Sequence, residues 1–111
     1  MHFNIQQKYF NQIKQGLKTA EGRINKPKFK DLNIGDSITF SSNNNPEEII
    51  TAKITYLKKY SCFKKMLESE LHQLLPDTNS IQEAIKIYES FGTYKEDQYA
   101  YGVISIGFKL V

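Results

Sequence analysis

The chain contains, at residues 37–57, the stretch SITFSSNNNPEEIITAKITYL, in which two segments rich in β-branched and aromatic residues flank a polar one. The flanking segments favour strands, and the polar segment at residues 42–46, with three asparagines and a proline, is typical of a loop. We therefore predict a β-hairpin whose strands lie at residues 37–41 and 49–57. This hairpin is the centre of the predicted fold.

The segment before the hairpin predicts a helix followed by a short strand. Residues 6–17 place Phe10, Ile13 and Leu17 on one face of a helix. Residues 18–24 then alternate between two faces, as an extended chain does.

The segment after the hairpin predicts two helices. The first occupies residues 61–74, with Ser61 as its N-cap. Its apolar stripe consists of Phe63, Met66, Leu67, Leu71 and Leu74. The second begins at Ser80, where Ser-Ile-Gln-Glu has the form of a capping box, and ends before Gly92.

The last segment, residues 99–111, alternates between apolar and mixed positions and predicts a long strand. Strands and helices thus lie on both sides of the hairpin, which indicates an α+β fold with helices around a small curved sheet or barrel. A chain of 111 residues accommodates one domain, and we expect it to occupy residues 1–111.

The composition argues against several classes of protein. With 40% hydrophobic and 24% charged residues, the chain is not of the disordered type. It has no apolar run long enough to span a membrane, and residues 1–4 lack the pattern of a signal peptide. Its single cysteine, Cys62, excludes an internal disulfide, and no spacing of His and Cys resembles a metal site. We expect a cytoplasmic protein without a metal or other cofactor and without a membrane partner.

The net charge of +3 is unevenly distributed along the chain. Residues 1–30 contain seven basic side chains and one acidic one, and residues 53–65 contain five lysines and no acid. If folding brings these segments together, they form a surface that attracts a polyanion. The candidate contacts from the second segment are Lys58, Lys59, Lys64 and Lys65. The alternative is that these lysines only keep the surface soluble.

The densest group of chemically active residues is KTAEGR at residues 18–23. In an extended chain Glu21 and Arg23 project from the same face, about 6.5–7 Å apart, with Thr19 beside them. Lys18 lies at the junction of helix and strand, where a bend can bring it to that face. An acid flanked by two bases can recognise a nucleobase edge beside a phosphate. The alternative is a surface ion pair that contributes at most about 1 kcal/mol.

Several motifs, taken in order, resemble the ASCH domain family (activating-signal-cointegrator-1 homology), whose fold is PUA-like. They are IKQG at residues 13–16, KTAEGR at residues 18–23, IGDSITF at residues 34–40, YSCF at residues 60–63 with Met66, Leu67 and Glu70, and YGVISI at residues 101–106. The resemblance implies a small PUA-like β-barrel with peripheral helices. It also implies a cleft lined in part by the KTAEGR segment.

The resemblance implies RNA or a modified nucleoside as the partner of this cleft. Lys18, Thr19, Glu21 and Arg23 would then contact the ligand, and the lysines of residues 58–65 would attract its backbone. Some family members are enzymes: one bacterial branch removes the acetyl group of N4-acetylcytidine, and others cleave RNA. Lys18 matches the lysine of the amidohydrolase branch and Glu70 its downstream glutamate, but the threonine of that pattern is Glu21 here.

Three functions therefore remain open from the sequence. The first is the binding of RNA or a modified nucleoside. The second is hydrolysis in the same cleft, as an amidohydrolase or ribonuclease with Lys18, Glu21 and Glu70 as catalytic residues. The third is a protein-interaction module whose charges are incidental.

Overall fold

Five strands form one curled, half-barrel sheet, and four helices pack around it in a computed structural model that describes all 111 residues. The strands are β1 (His2–Ile5), β2 (Ala20–Ile24), β3 (Ser37–Ser42), β4 (Asn45–Tyr60) and β5 (Val103–Leu110). The helices are α1 (Gln7–Lys14), α2 (Phe63–Leu74), α3 (Ile81–Glu89) and α4 (Tyr94–Tyr101). The α+β fold predicted from the sequence is confirmed.

The sheet has the strand order β1-β3-β4-β5-β2. The β1–β3 pair is parallel, and the other pairs are antiparallel. β5 therefore lies between β4 and β2, so β2, which contains Glu21 and Arg23, is an edge strand.

Each face of the sheet covers its own apolar core. Ile104, Ile106 and Phe108 of β5 belong to one core together with β1, β3 and α1 residues. Val103, on the other face of the same strand, packs in a second core with Ala20 and Ile24 of β2 and the apolar stripes of α2 and α3. This separation decides which side chains can meet, because neighbours along a strand point to opposite faces.

The predicted hairpin is present, but its loop is shorter than the sequence suggests. Only residues 43–44 form the turn, since β3 continues to Ser42 and β4 begins at Asn45. The register shifts between Ser41, which pairs with Ile49, and Ser42, which pairs with Asn45. Residues 46–48 are left without ladder partners at this irregularity, so Pro46, which has no N–H, fits there.

Two elements escape the sequence analysis, and a third is misplaced. β1 has only four residues and depends on pairing with β3. α4 buries only Gln98, so it has no apolar stripe to reveal it. The predicted strand at residues 99–111 was wrong in its first part, because residues 99–101 end α4 and Gly102, with φ of 72°, turns the chain into β5.

The cap predicted for α2 is also wrong, whereas that of α3 is confirmed. Cys62, not Ser61, is the N-cap residue of α2, and the Phe63 amide donates to Oε1 of Gln98 at 2.9 Å. In α3 the hydroxyl of Ser80 accepts from the Glu83 amide at 3.2 Å. No helix combines the length and apolar character needed to cross a membrane.

Candidate functional site

A cleft of about 400 Å³ opens beside the edge strand β2. It is lined by three charged side chains, by aromatic and polar side chains, and by the aliphatic side chains of Ile5 and Leu75. The charged residues are Lys18, Glu21 and Arg23. The aromatic residues are Tyr9, Tyr88, Phe91 and Tyr94. The polar residues are Asn4, Gln6, Asn43 and Thr93.

The three charged side chains form one network around the carboxylate of Glu21. Nζ of Lys18 lies 3.3 Å from Oε1 of Glu21 and also donates to the Leu74 carbonyl at 2.6 Å. Nε and Nη2 of Arg23 donate to Oε2 of the same carboxylate at 3.2 and 2.9 Å. Lys18 is 2% exposed and Glu21 7%, so this is not the surface ion pair that the sequence left open.

The local fold explains why these residues meet. Glu21 and Arg23 lie opposite Ile106 and Ile104 of β5 and share one face of β2. Gly22 faces the other way, where a Cβ would lie 2.7 Å from Cε of Met66 and 2.9 Å from Oη of Tyr88. A side chain at Gly22 would therefore have to displace the end of the Met66 side chain of α2 and the hydroxyl of Tyr88 of α3.

The pKa shifts follow from burial and from the pairing within the network. Burial, the largest influence, lowers the pKa of the Lys18 ammonium in spite of the attraction of Glu21. For Glu21, burial opposes ionisation, but Lys18 and Arg23 together bring the pKa of the carboxyl below its ordinary value. For Arg23, burial is likewise outweighed, and the pKa of the guanidinium is raised by Glu21.

The aromatic walls differ in how much of each ring is free. Tyr88 is 4% exposed, and its ring stacks on Phe63 with centroids 4.8 Å apart. Tyr9, Phe91 and Tyr94 are only partly buried, and Nζ of Lys18 lies 5.6 Å from the centroid of the Tyr9 ring. Three aromatic side chains thus have ring surface available to a ligand. None of the four could be selected from the sequence: Tyr9 and Tyr88 look like ordinary positions of helices, Phe91 follows the end of α3, and Tyr94 begins α4, which has no apolar stripe.

The structure does not bring Glu70 to the cleft, although the resemblance suggested a catalytic role for it. Its carboxylate accepts from the hydroxyls of Tyr56, Tyr60 and Ser105, the last two at 2.6 and 2.8 Å. Ser105 pairs with Gly22, on the face of the sheet opposite to that of Glu21. The sheet therefore separates the two carboxylates.

The other predicted contacts also lie outside the cleft lining. Thr19 is exposed, because regular β2 starts only at Ala20 and the Thr19 amide is bound to the Gln73 carbonyl at 3.0 Å. Lys58 and Lys59 lie on β4, which β5 separates from β2. Lys64 and Lys65 lie on the exposed side of α2. The two basic segments therefore do not form one continuous lining.

No group of three or more His, Cys, Asp and Glu side chains is arranged to hold a metal ion.

An α+β half-barrel with a charged cleft at its edge strand is an architecture of the PUA-like class. The ASCH domain model matches residues 3–111, and the chain belongs to the ASCH domain family. The family predicted from the sequence motifs is confirmed.

Solved structures show the same fold. The crystal structure of hypothetical protein PH0355 is 32% identical, with a TM-score of 0.87 and coverage of 99% of this chain and 97% of that one. The solution NMR structure of protein PF0455 from Pyrococcus furiosus is 27% identical, with a TM-score of 0.73 and coverage of 100% and 98%. The crystal structure of ASCH from Zymomonas mobilis is 12% identical, with a TM-score of 0.68, and the match covers 97% of this chain and 65% of that one. None of the curated proteins compared with the chain matches it.

Proposed function

We propose that this ASCH domain binds RNA or a modified nucleoside, with one base held in the cleft. The observation that carries the proposal is the buried Lys18–Glu21–Arg23 network in the lining of an aromatic-walled cleft. Ionised groups are rarely buried unless they are paired, and a paired network at the base of a cleft is a typical ligand-binding arrangement.

The size and walls of the cleft suit a nucleobase. Its volume of about 400 Å³ lies within the roughly 300–1,000 Å³ of small-molecule sites. The partly exposed rings of Tyr9, Phe91 and Tyr94 provide surfaces on which a flat base can stack. Stacking of a base on an aromatic side chain contributes about 1–3 kcal/mol and tolerates any base.

The network also provides the donors and acceptors that a base edge needs. Arg23 directs Nε and Nη2 to Glu21, which leaves Nη1 without a carboxylate partner. The Lys18 ammonium has three N–H groups and uses two of them, on Glu21 and Leu74. A carboxylate accepts about four hydrogen bonds, and Glu21 receives three. A base with both donors and acceptors can therefore bond to the unused N–H groups of Lys18 and Arg23 and to the remaining acceptor capacity of Glu21.

The proposal is tested with a fluorescein-labelled single-stranded RNA followed by anisotropy and a nucleoside panel followed by calorimetry. Arg23→Ala removes two of the three bonds to Glu21 and the free Nη1, and we expect at least tenfold weaker binding. Lys59→Ala removes an exposed charge outside the cleft and is the matched control. Affinity for the RNA should also fall as salt rises, because phosphate contacts release counterions. Binding that is unchanged in Arg23→Ala, or insensitive to salt, contradicts the proposal.

A second candidate function is amide hydrolysis of a modified base, and the position of Lys18 favours it. Burial lowers the pKa of Lys18, so near neutral pH a larger fraction of it is the uncharged amine, the form that can accept a proton, than of an exposed lysine; it also lies beside the Glu21 carboxylate. In the proposed reaction, Lys18 or Glu21 takes a proton from water, whose oxygen attacks the acyl carbon. The acyl C–N bond then breaks, and the proton passes to the departing amine.

This reaction is tested by incubating the protein with N4-acetylcytidine and following cytidine and acetate by chromatography. We expect turnover that is lost in Glu21→Gln and retained in Glu70→Gln, because the Glu70 carboxylate lies on the other face of the sheet. Turnover no faster than in buffer excludes the reaction and leaves the binding proposal standing.

A further inference from the structure

A second, smaller pocket adjoins the cleft at Arg23. Its volume is about 70 Å³, and we name it the basic annex after its lining residues, Arg23, Ile24, Lys26, Lys28, Phe29 and Tyr94. Arg23 and Tyr94 line the cleft as well, so the two pockets share a wall. A water needs about 10–15 Å³ of such volume, and the annex therefore has room for a few heavy atoms and not for a second base.

The fold concentrates three cations around this pocket. After β2 ends at Ile24, the Lys26 amide bonds to the Ile24 carbonyl at 2.8 Å and reverses the chain. The chain then forms a 3-10 turn at Pro27–Phe29, and Phe29, which is 4% exposed, anchors this turn in the core. Lys26 and Lys28, exposed residues on either side of Pro27, thereby line the pocket, and Nζ of Lys28 lies 5.2 Å from the Phe29 ring centroid.

The charge of the annex is not neutralised within the protein. No carboxylate lies within 4.0 Å of Lys26 or Lys28, and Arg23 has only Glu21, which it shares with Lys18. The guanidinium is fixed, because its Cζ lies 4.8 Å from the Phe3 ring centroid and two of its nitrogens are held by Glu21. Both N–H groups of Nη1 and one N–H of Nη2 remain for the cleft and the annex, and the two lysine ammonium groups add donors that no carboxylate within 4.0 Å accepts.

We propose that the basic annex is a phosphate subsite, so that the ligand of the cleft is a phosphorylated nucleoside, as a nucleotide or as a residue of RNA. The inference rests on the proposed function for the position of the base in the cleft. A phosphate oxygen pair matches the planar guanidinium, and lysines contribute charge without strict geometry. Lys26 and Lys28 then take the role that the sequence suggested for Lys58, Lys59, Lys64 and Lys65, which lie outside the cleft lining.

The first arm of the test uses inorganic phosphate and does not depend on the base. Backbone amide shifts are followed by NMR during a phosphate titration. We expect saturable shifts at residues 24–29 that disappear in the double variant Lys26→Ala/Lys28→Ala. The matched double variant Lys58→Ala/Lys59→Ala, which also removes two neighbouring exposed lysines, should keep them.

The second arm compares nucleosides with their 3′- and 5′-monophosphates by calorimetry. We expect at least one monophosphate to bind about tenfold more tightly than its nucleoside, and Lys26→Ala/Lys28→Ala to remove that preference while leaving nucleoside affinity unchanged. A labelled RNA whose phosphates are all diesters shows whether the phosphate bound at the annex is that of an RNA backbone or that of a free nucleotide. If the double variant weakens RNA binding, the subsite takes a backbone phosphate; if only the monophosphates are affected, it takes that of a free nucleotide.

The two proposals fail in different ways. Absence of phosphate shifts at residues 24–29, or monophosphates that bind no more tightly than nucleosides, overturns the phosphate subsite and leaves the cleft as a base-binding site. Phosphate shifts at the annex, combined with no binding of any nucleoside or RNA, support the subsite and overturn the proposed base-binding cleft.

Discussion

Two buried glutamates on opposite faces of the sheet differ in what surrounds them. Glu21 is 7% exposed and Glu70 is 3% exposed, so both carboxylates have lost most of their water. Glu21 is compensated by two cations, Lys18 and Arg23. Glu70 has no cation within 4.0 Å and is compensated by three hydroxyl groups.

The hydroxyl-bonded glutamate connects α2 to the sheet. Its backbone leaves the helical region, with φ of −133° and ψ of 30°, so α2 is bent at this residue. Tyr56 and Tyr60 belong to β4 and Ser105 to β5, and all three donate to the one carboxylate. Burial and these hydrogen bonds to Glu70 raise the pKa of both tyrosines.

The difference separates a carboxylate that connects a helix to the sheet from one that lines the cleft. The hydroxyls around Glu70 lie between α2 and the sheet, and none of the four residues lines the cleft. The network around Glu21 lines the cleft and, with both bases protonated, carries one net positive charge. Burial alone therefore does not distinguish the two carboxylates; the compensating groups and the position at the cleft do.

The largest expected effect comes from the same substitution at both positions. Glu21→Gln leaves Lys18 and Arg23 without their carboxylate, and Lys18 is buried. The substitution should therefore lower the free energy of unfolding by about 3 kcal/mol. Glu70→Gln keeps an acceptor for the hydroxyls and removes the burial cost of a charge that has no cation. We expect it to lower the free energy of unfolding by about 1 kcal/mol. Urea denaturation at pH 7 measures both.

Glu68→Gln, at an exposed position of α2, is the control for these two variants and should be nearly neutral. A loss at Glu70 that equals or exceeds the loss at Glu21 contradicts the distinction between the two carboxylates.

The next largest effect is expected at two glycines: Gly107, which contacts Tyr56 beside Glu70, and Gly22, which lines the cleft. A Cβ at Gly107 would lie 2.0 Å from Cε2 of Tyr56, so Gly107→Ala must move this ring away from Glu70 and should cost about 2 kcal/mol. At Gly22 the nearest atom is the flexible end of Met66, at 2.7 Å, and Gly22→Ala should cost about 1 kcal/mol. Thermal unfolding measures both, and the reverse order would show that the Glu70 region is the more adaptable one.

Much of this fold is predictable from local sequence. The capping box at Ser80 and the stripe of α2 depend on short-range spacing, and the hairpin depends on β-branched segments. β1 and α4 depend on distant partners: β1 on its parallel pairing with β3, and α4 on Gln98, which caps α2. Because no local pattern encodes such contacts, sequence reasoning missed both elements.

The candidate site likewise has a part that local sequence predicts and a part that depends on distant contacts. Glu21 and Arg23 could be placed on one face because a strand has a period of two. Glu70 could not be assigned to the opposite face, since that depends on how α2 packs on β5. Lys26 and Lys28 were visible only as part of a basic segment, because their convergence with Arg23 depends on the turn after β2.

A smaller effect concerns pH. The pKa of Glu21 in the folded state is below the ordinary value of 4.5, in spite of burial, because of Lys18 and Arg23. Such a group contributes stability above its unfolded pKa and loses that contribution as pH falls through its folded pKa. The difference in unfolding free energy between the native protein and Glu21→Gln should therefore narrow as pH falls below 4.5. Asp77 also has a lowered pKa, through its hydrogen bond with Lys8, but it is present in both proteins. A difference that stays constant from pH 5 to pH 3 would contradict the role assigned to the two cations.

The smallest effect should come from the exposed ion pair of Lys8 and Asp77, which has the same chemistry as the network at Glu21 without its burial. Nζ of Lys8 lies 2.9 Å from Oδ2 of Asp77, and the side chains are 54% and 47% exposed. A double-mutant cycle with Lys8→Ala and Asp77→Ala should give a coupling below about 0.5 kcal/mol, which vanishes at high salt because water and ions screen exposed charges. A coupling as large as the loss in Glu21→Gln would mean that pairing alone, and not burial, makes the cleft network important. A small coupling assigns the difference to burial and to the second cation of the network, since the N–O distances, 2.9 Å for Lys8–Asp77 and 3.3 and 2.9 Å at Glu21, are similar.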